Sequence, residues 1–106
     1  MNKVILVYST APDVAVAEKL AEQLVGEKLA ACVSMMPGVQ SVYRWQGAVE
    51  KAFEVGLMIK TTERQFSSLS EKLVALHPYD VPELIAVPVT VGFPAYLQWV
   101  QDETAS

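Results

Sequence analysis

Residues 29–61, LAACVSMMPGVQSVYRWQGAVEKAFEVGLMIKT, limit what this chain can fold into more than any other stretch. Two apolar, β-rich runs meet at Gln46-Gly47, and a glycine between two such runs marks a tight hairpin turn. Each arm holds about 14 residues, which at roughly 3.3 Å per residue is on the order of 45 Å of strand. A globule of about 100 residues, with a radius of gyration of roughly 13 Å, is only ~35 Å across. The hairpin therefore projects beyond its own domain. Its tip carries Val42, Tyr43 and Trp45, and projecting strand edges with aromatic surface are what monomers avoid and oligomer interfaces use. Tyr43 and Trp45 are accordingly expected at a contact between subunits.

The rest of the chain supplies the domain from which this hairpin projects. Residues 3–9 are β-branched and aliphatic, the pattern of a central strand buried on both faces. Thr10-Ala11-Pro12-Asp13 offers a cap, an early-helix proline and an acidic residue for the positive end of a helix dipole. Ala17, Leu20, Ala21 and Leu24 then recur at helical spacing, and Gly26 marks the expected helix end.

Within the hairpin, Pro37-Gly38 predicts a bulge or bend, because proline cannot donate to a ladder. In the second arm Phe53, Val55, Leu57 and Ile59 form the more apolar face, expected to meet the helices. Thr62 with Gln65 suggests a capping box for a second helix whose stripe is Phe66, Leu69, Leu73 and Leu76, stopped at His77-Pro78. A short strand over residues 84–89 and a last helix opening at Gly92-Phe93-Pro94 complete the chain.

The order strand, helix, long hairpin, helix, strand, helix predicts one α+β domain spanning residues 1–106. It is a ferredoxin-like βαββαβ unit plus a C-terminal helix, with a four-stranded antiparallel sheet and helices on one face.

Charge and cysteine content narrow the partners. A formal net charge of -4 opposes attraction to nucleic acid or anionic membrane, which rests on clustered Lys and Arg. No run approaches the roughly 20 apolar residues of a membrane span. The N-terminal MNKVILVYST lacks a small-residue cleavage site and reads as a first strand. A single cysteine forms no intrachain disulfide, which fits the cytoplasm.

Catalytic machinery is sparse. The five glycines are too scattered for a dinucleotide fingerprint or a P-loop, and one Cys with one His cannot close a zinc site from a single chain. No organic cofactor and no enzymatic activity are expected. Reactive groups do gather at the ends of strands: Ser9 and Thr10, Cys32, Lys60 and Thr61, and His77, Tyr79 and Glu83. In the usual sheet order for this topology several of them are expected to converge on one cleft.

Cys32 reads as a small buried hydrophobe, a soft metal ligand or a thiolate. His77 reads either as a partner for the last helix carbonyls or as a ligand. Glu83 belongs either to the cleft or to a bridge with Lys60. Two prolines stiffen the segment from His77 to Glu83, and rigid loops of that composition present functional groups. Met35-Met36 reads as packing rather than copper coordination, since adjacent strand residues face opposite ways.

Several segments, in order along nearly the whole chain, resemble the CutA family of divalent-cation tolerance proteins: TAPD, KLAACV, PGVQSVYRWQG, KT, HPYDVPE and YLQWV. The resemblance implies a homotrimer like the PII signalling proteins, with long hairpins wrapped around neighbouring subunits. It also implies tolerance to copper and other divalent metals without catalysis. The motif falls on Cys32, Tyr43, Trp45, Lys60, Thr61, His77, Pro78, Tyr79, Pro82 and Glu83. Ser9 and Leu76 stand where one version of the family's proposed copper site has a Cys and a second His.

Two functions follow as expectations. In the first, a homotrimer weakly binds a divalent metal, copper or zinc, at an intersubunit cleft through His77, with Cys32 or Glu83 assisting. In the second, the trimer is a PII-like sensor or scaffold. Its cleft, including Ser9, Lys60, Thr61 and Tyr79, takes a small metabolite or a protein tail without metal.

Overall fold

The long hairpin is present and does project. In the computed structural model, which describes residues 2–105, β2 (Cys32–Trp45) and β3 (Ala48–Thr62) pair along nearly their whole length. Gln46 and Gly47 form the two-residue turn between Trp45 and Ala48, with φ of 50° and 82°. Positive φ at both central residues is what a turn matching the right-handed twist of the strands requires. The register slips between Met36 and Val39, where Gly38 takes φ of 83°, so Pro37-Gly38 is the expected bulge.

The strand order is β2-β3-β1-β4, all antiparallel neighbours, with β1 (Val4–Ala11) in the middle and β4 (Leu84–Pro88) at the far edge. Residues Val55 to Thr62 of β3 pair with β1. Ala48 to Glu54 pair only with Val39 to Trp45 of the other arm. That unaccompanied part is the overhang, about 20 Å long at 3.3 Å per residue. It stretches the molecule to 43 × 25 × 22 Å.

The core lies between one face of the sheet and two helices, α1 (Val14–Gly26) and α2 (Phe66–Leu76). Strand alternation sends Ile5, Val7 and Ala11 of β1 and Val55, Leu57 and Ile59 of β3 to this side. They meet Ala17, Leu20 and Leu24 of α1 and Leu69 and Leu73 of α2. Phe53, predicted on the same face, instead remains 73% exposed, because the hairpin has by then run past the helices.

Several local readings are corrected. Asp13 itself caps α1, accepting from the Val16 N–H at 2.8 Å, while Thr10 and Ala11 still belong to β1. The left-handed residue that ends α1 is Lys28, with φ of 62°, not Gly26. Lys28 N–H donates to the Val25 carbonyl and Leu29 N–H to the Leu24 carbonyl, the paired bonds of a Schellman ending. The Thr62–Gln65 capping box does not form: a 3₁₀ turn over Glu63–Gln65 precedes α2, and the Gln65 amide donates to the Thr104 carbonyl at 2.6 Å.

The helices are not all on one face. Helix α3 (Pro94–Thr104) covers one end of the opposite face, where Val100 and Leu97 pack with Val4 and Ala31. Beyond α3 that second face is open. Ile85 and Val87 of β4 are 56% and 52% exposed there, beside the partly buried Tyr8.

Candidate functional site

The antiparallel order divides the strand-end residues into two groups. Ser9 and Thr10 close β1 at the same end as Leu84 opens β4, whereas Lys60 and Thr61 lie beside Leu6 and Ile5 at the other end. Cys32 pairs with Lys60 and so shares that far end. A strand that runs back must end opposite its neighbour's end, so Ser9, Thr10, His77, Tyr79 and Glu83 gather around one cleft while Lys60, Thr61 and Cys32 lie outside it.

At the far end the groups serve the fold. Thr61 Oγ1 donates to the Leu29 carbonyl at 2.6 Å, and Lys60 Nζ donates to Ser34 Oγ at 2.6 Å. Lys60 therefore makes no bridge to Glu83. Cys32 is a half-buried free thiol on the edge strand, 3.8 Å from Tyr96 Oη of α3. Burial first, and then the bond to Cys32, raise the Tyr96 hydroxyl above its ordinary pKa.

At the near end lies a cleft of about 770 Å³, within the range of small-molecule sites. One wall is the overhanging hairpin, from Ser41 to Trp45 with Glu54; the other is residues 78–83, with Thr10 between them. Pairing explains the first wall. Val39 faces Glu54 and Tyr43 faces Glu50, so alternation puts Tyr43, Trp45 and Glu54 on one face of the ribbon.

The second wall is held by His77. Its Nε2 lies 2.7 Å from the Thr10 carbonyl oxygen, and its Nδ1 lies 3.1 Å from the Tyr79 backbone nitrogen. A carbonyl only accepts and a backbone N–H only donates, so Nε2 donates to Thr10 and Nδ1 accepts from Tyr79. His77 thus reaches a β1 carbonyl rather than those of its own helix, and its ring lies 4.6 Å from that of Tyr79. Ser9 Oγ adds a second tie, donating to the Glu83 carbonyl at 2.7 Å.

The resulting centre is a carboxylate–phenol pair. Tyr79 Oη donates to Glu54 Oε2 at 2.8 Å, and Glu54 is only 8% exposed. Burial, and then the bond to Glu54, hold the Tyr79 hydroxyl protonated far above its ordinary 10.0. Tyr8 is also raised, by burial and then by the charges of Glu83 and Glu54. Both carboxylates therefore project their field over the same end of the sheet.

Glu54 was not legible as a site residue, since in a strand it reads as one polar position among alternating ones. Its only signal is a carboxylate between the small residues Ala52 and Gly56 on its face.

The fit of a divalent metal to one chain is poor. Both His77 nitrogens are engaged, Cys32 lies at the other end of the sheet, and the described residues contain no group of three His, Cys, Asp or Glu side chains placed to hold an ion. Tyr43 and Trp45, expected between subunits, line the cleft of their own chain while staying 44% and 42% exposed.

Residues 5–103 match the family model described as CutA1 divalent ion tolerance protein. The chain is 46% identical over 104 residues to a divalent-cation tolerance protein CutA of Thermus thermophilus, covering 98% of this chain and 99% of that protein. It is 47% identical over 100 residues to a chloroplastic CutA protein of Arabidopsis thaliana, spanning 94% of this chain and 55% of the plant protein. Among solved structures, CutA from Xylella fastidiosa superposes with a TM-score of 0.95 at 48% identity, covering 97% of this chain and 99% of the other.

Proposed function

The chain belongs to the CutA1 family of divalent ion tolerance proteins, and from that premise we propose that it acts in divalent-cation tolerance as a PII-like homotrimeric binding protein rather than an enzyme. The observation that carries this reading is the unaccompanied hairpin, with Phe53 73%, Val49 62% and Val42 61% exposed, together with an open sheet face bearing Ile85 and Val87. Apolar surface on that scale, on a chain with an ample core of its own, calls for a second copy to cover it.

The cleft between the hairpin and residues 78–83 is the ligand site in this reading. A divalent ion such as copper or zinc binds only weakly, and only where two subunits each supply donors, because one chain does not gather enough of them. The chain works in the cytoplasm, which its lone free cysteine suits, and no described helix is long and apolar enough to cross a membrane.

Sedimentation equilibrium of the tag-free protein, followed by calorimetric titration with Cu²⁺ and Zn²⁺, tests both parts. A mass three times that of the chain with weak metal heats is expected. A monomer overturns the assembly. Tight, saturable binding that persists in a monomeric variant overturns the shared-donor reading of the metal.

A further inference from the structure

Every carboxylate in the near-end cleft lacks a cationic partner. Glu54, Asp80 and Glu83 line it, and among the described residues none of them makes an ion pair. Arg44, also on the wall, is exposed and bonds to none of them. Glu54 is the decisive group. It is more than nine-tenths buried, it faces the cleft, and its single donor is the Tyr79 hydroxyl on Oε2, which leaves Oε1 without one among the described residues. Oε1 is not one of the fully buried unpartnered atoms and so stays open to the cleft, and for a carboxylate in so sheltered a position a charged donor serves best.

The walls add the second requirement. Tyr43 and Trp45 stand on the same ribbon face as Glu54, and an aromatic face attracts a cation and packs an apolar body. A metal ion has no use for such walls and needs more ligands than are gathered here. A quaternary ammonium uses the walls but donates no hydrogen bond.

We propose that the cleft binds a small organic molecule bearing a primary ammonium group, which donates to Glu54 beside Tyr79 while Tyr43 and Trp45 flank its apolar body. This deepens the reading of the cleft as the ligand site and rests on it. Asp80 and Glu83, exposed at the rim, bias the entrance toward cations.

The test is a charge series of one shape: phenethylamine, phenethyl alcohol, hydrocinnamate and the N-trimethyl derivative of the amine. Each is titrated calorimetrically into the assembled protein, and contact with the cleft is read from Trp45 fluorescence in a Trp99→Phe background. The amine is expected to bind at least about tenfold more tightly than the alcohol or the quaternary analogue, and the acid not at all. Glu54→Gln is expected to bring amine and alcohol to equal affinity.

Should Glu54→Gln not fold, the series on the parent protein still decides. If the alcohol or the acid matches the amine and still perturbs Trp45, the cleft is a ligand site but the ammonium assignment is overturned. If no member of the series binds, both the assignment and the cleft reading are overturned.

Discussion

At Tyr79 a single hydroxyl satisfies a buried carboxylate, and that fixes what its removal does. Tyr79→Phe keeps the ring against His77 but leaves Glu54 without its donor, so the folded state is expected to lose about 1–3 kcal/mol, measured by urea unfolding. The same bond sets an alkaline limit. The folded protein keeps the Tyr79 proton far above pH 10, whereas the unfolded chain releases it near the ordinary value of 10.0. This contribution is therefore complete below pH 10 and fades as pH rises beyond it. Stability followed from pH 8 to 11, on the order of one unfolding curve per half unit, should fall less steeply for Tyr79→Phe than for the parent.

His77 makes a matching structural claim: His77→Ala strands the Thr10 carbonyl and the Tyr79 N–H together, for a loss of about 2 kcal/mol or more. Much of this was hidden in the sequence. HPYDVPE marked the loop, but nothing local says that the imidazole reaches back to β1 or that Glu54 lies opposite, since both contacts join residues far apart along the chain.

Among the elements, backbone conformation decides what the sequence did and did not disclose. Gln46-Gly47 and Pro37-Gly38 were legible because glycine and proline report positive φ and missing donors directly. The end of α1 was not, because Lys28 occupies a left-handed position where glycine is usual. Lys28→Gly should accordingly raise stability by about 1 kcal/mol, and Gly47→Ala should lower it by about 1–2 kcal/mol, both read as shifts in the urea midpoint. A Lys28→Gly protein no more stable than its parent contradicts the Schellman assignment.

The failed capping box has a similar origin. Gln65 had two possible partners, and the carbonyl of Thr104 prevailed because α3 folds across the second face of the sheet. Placement of α3 there was itself unreadable, since an amphipathic stripe says that a helix covers something but not which face of the sheet.

For the whole molecule, strand count and hairpin length together carry the account. Four strands and two packed helices make a complete core, and the hairpin contributes to it only as far as Val55. The remainder runs past that core as exposed, largely apolar ribbon, the overhang that arithmetic on residues 29–61 anticipated. What arithmetic on one stretch could not give was the polarity of the strand ends. Position at a strand end alone made Lys60, Thr61 and Cys32 candidates for one cleft with His77, whereas antiparallel pairing separates them by the length of the central strand.

The most direct measurement is therefore the molar mass of the tag-free protein by sedimentation equilibrium at low-micromolar concentration, for the parent and for a variant in which residues 40–53 are replaced by a two-residue turn. The parent is expected at three times the chain mass and the shortened protein, still folded, at a lower one. A parent that sediments as a monomer, with its hairpin exposed, contradicts the account.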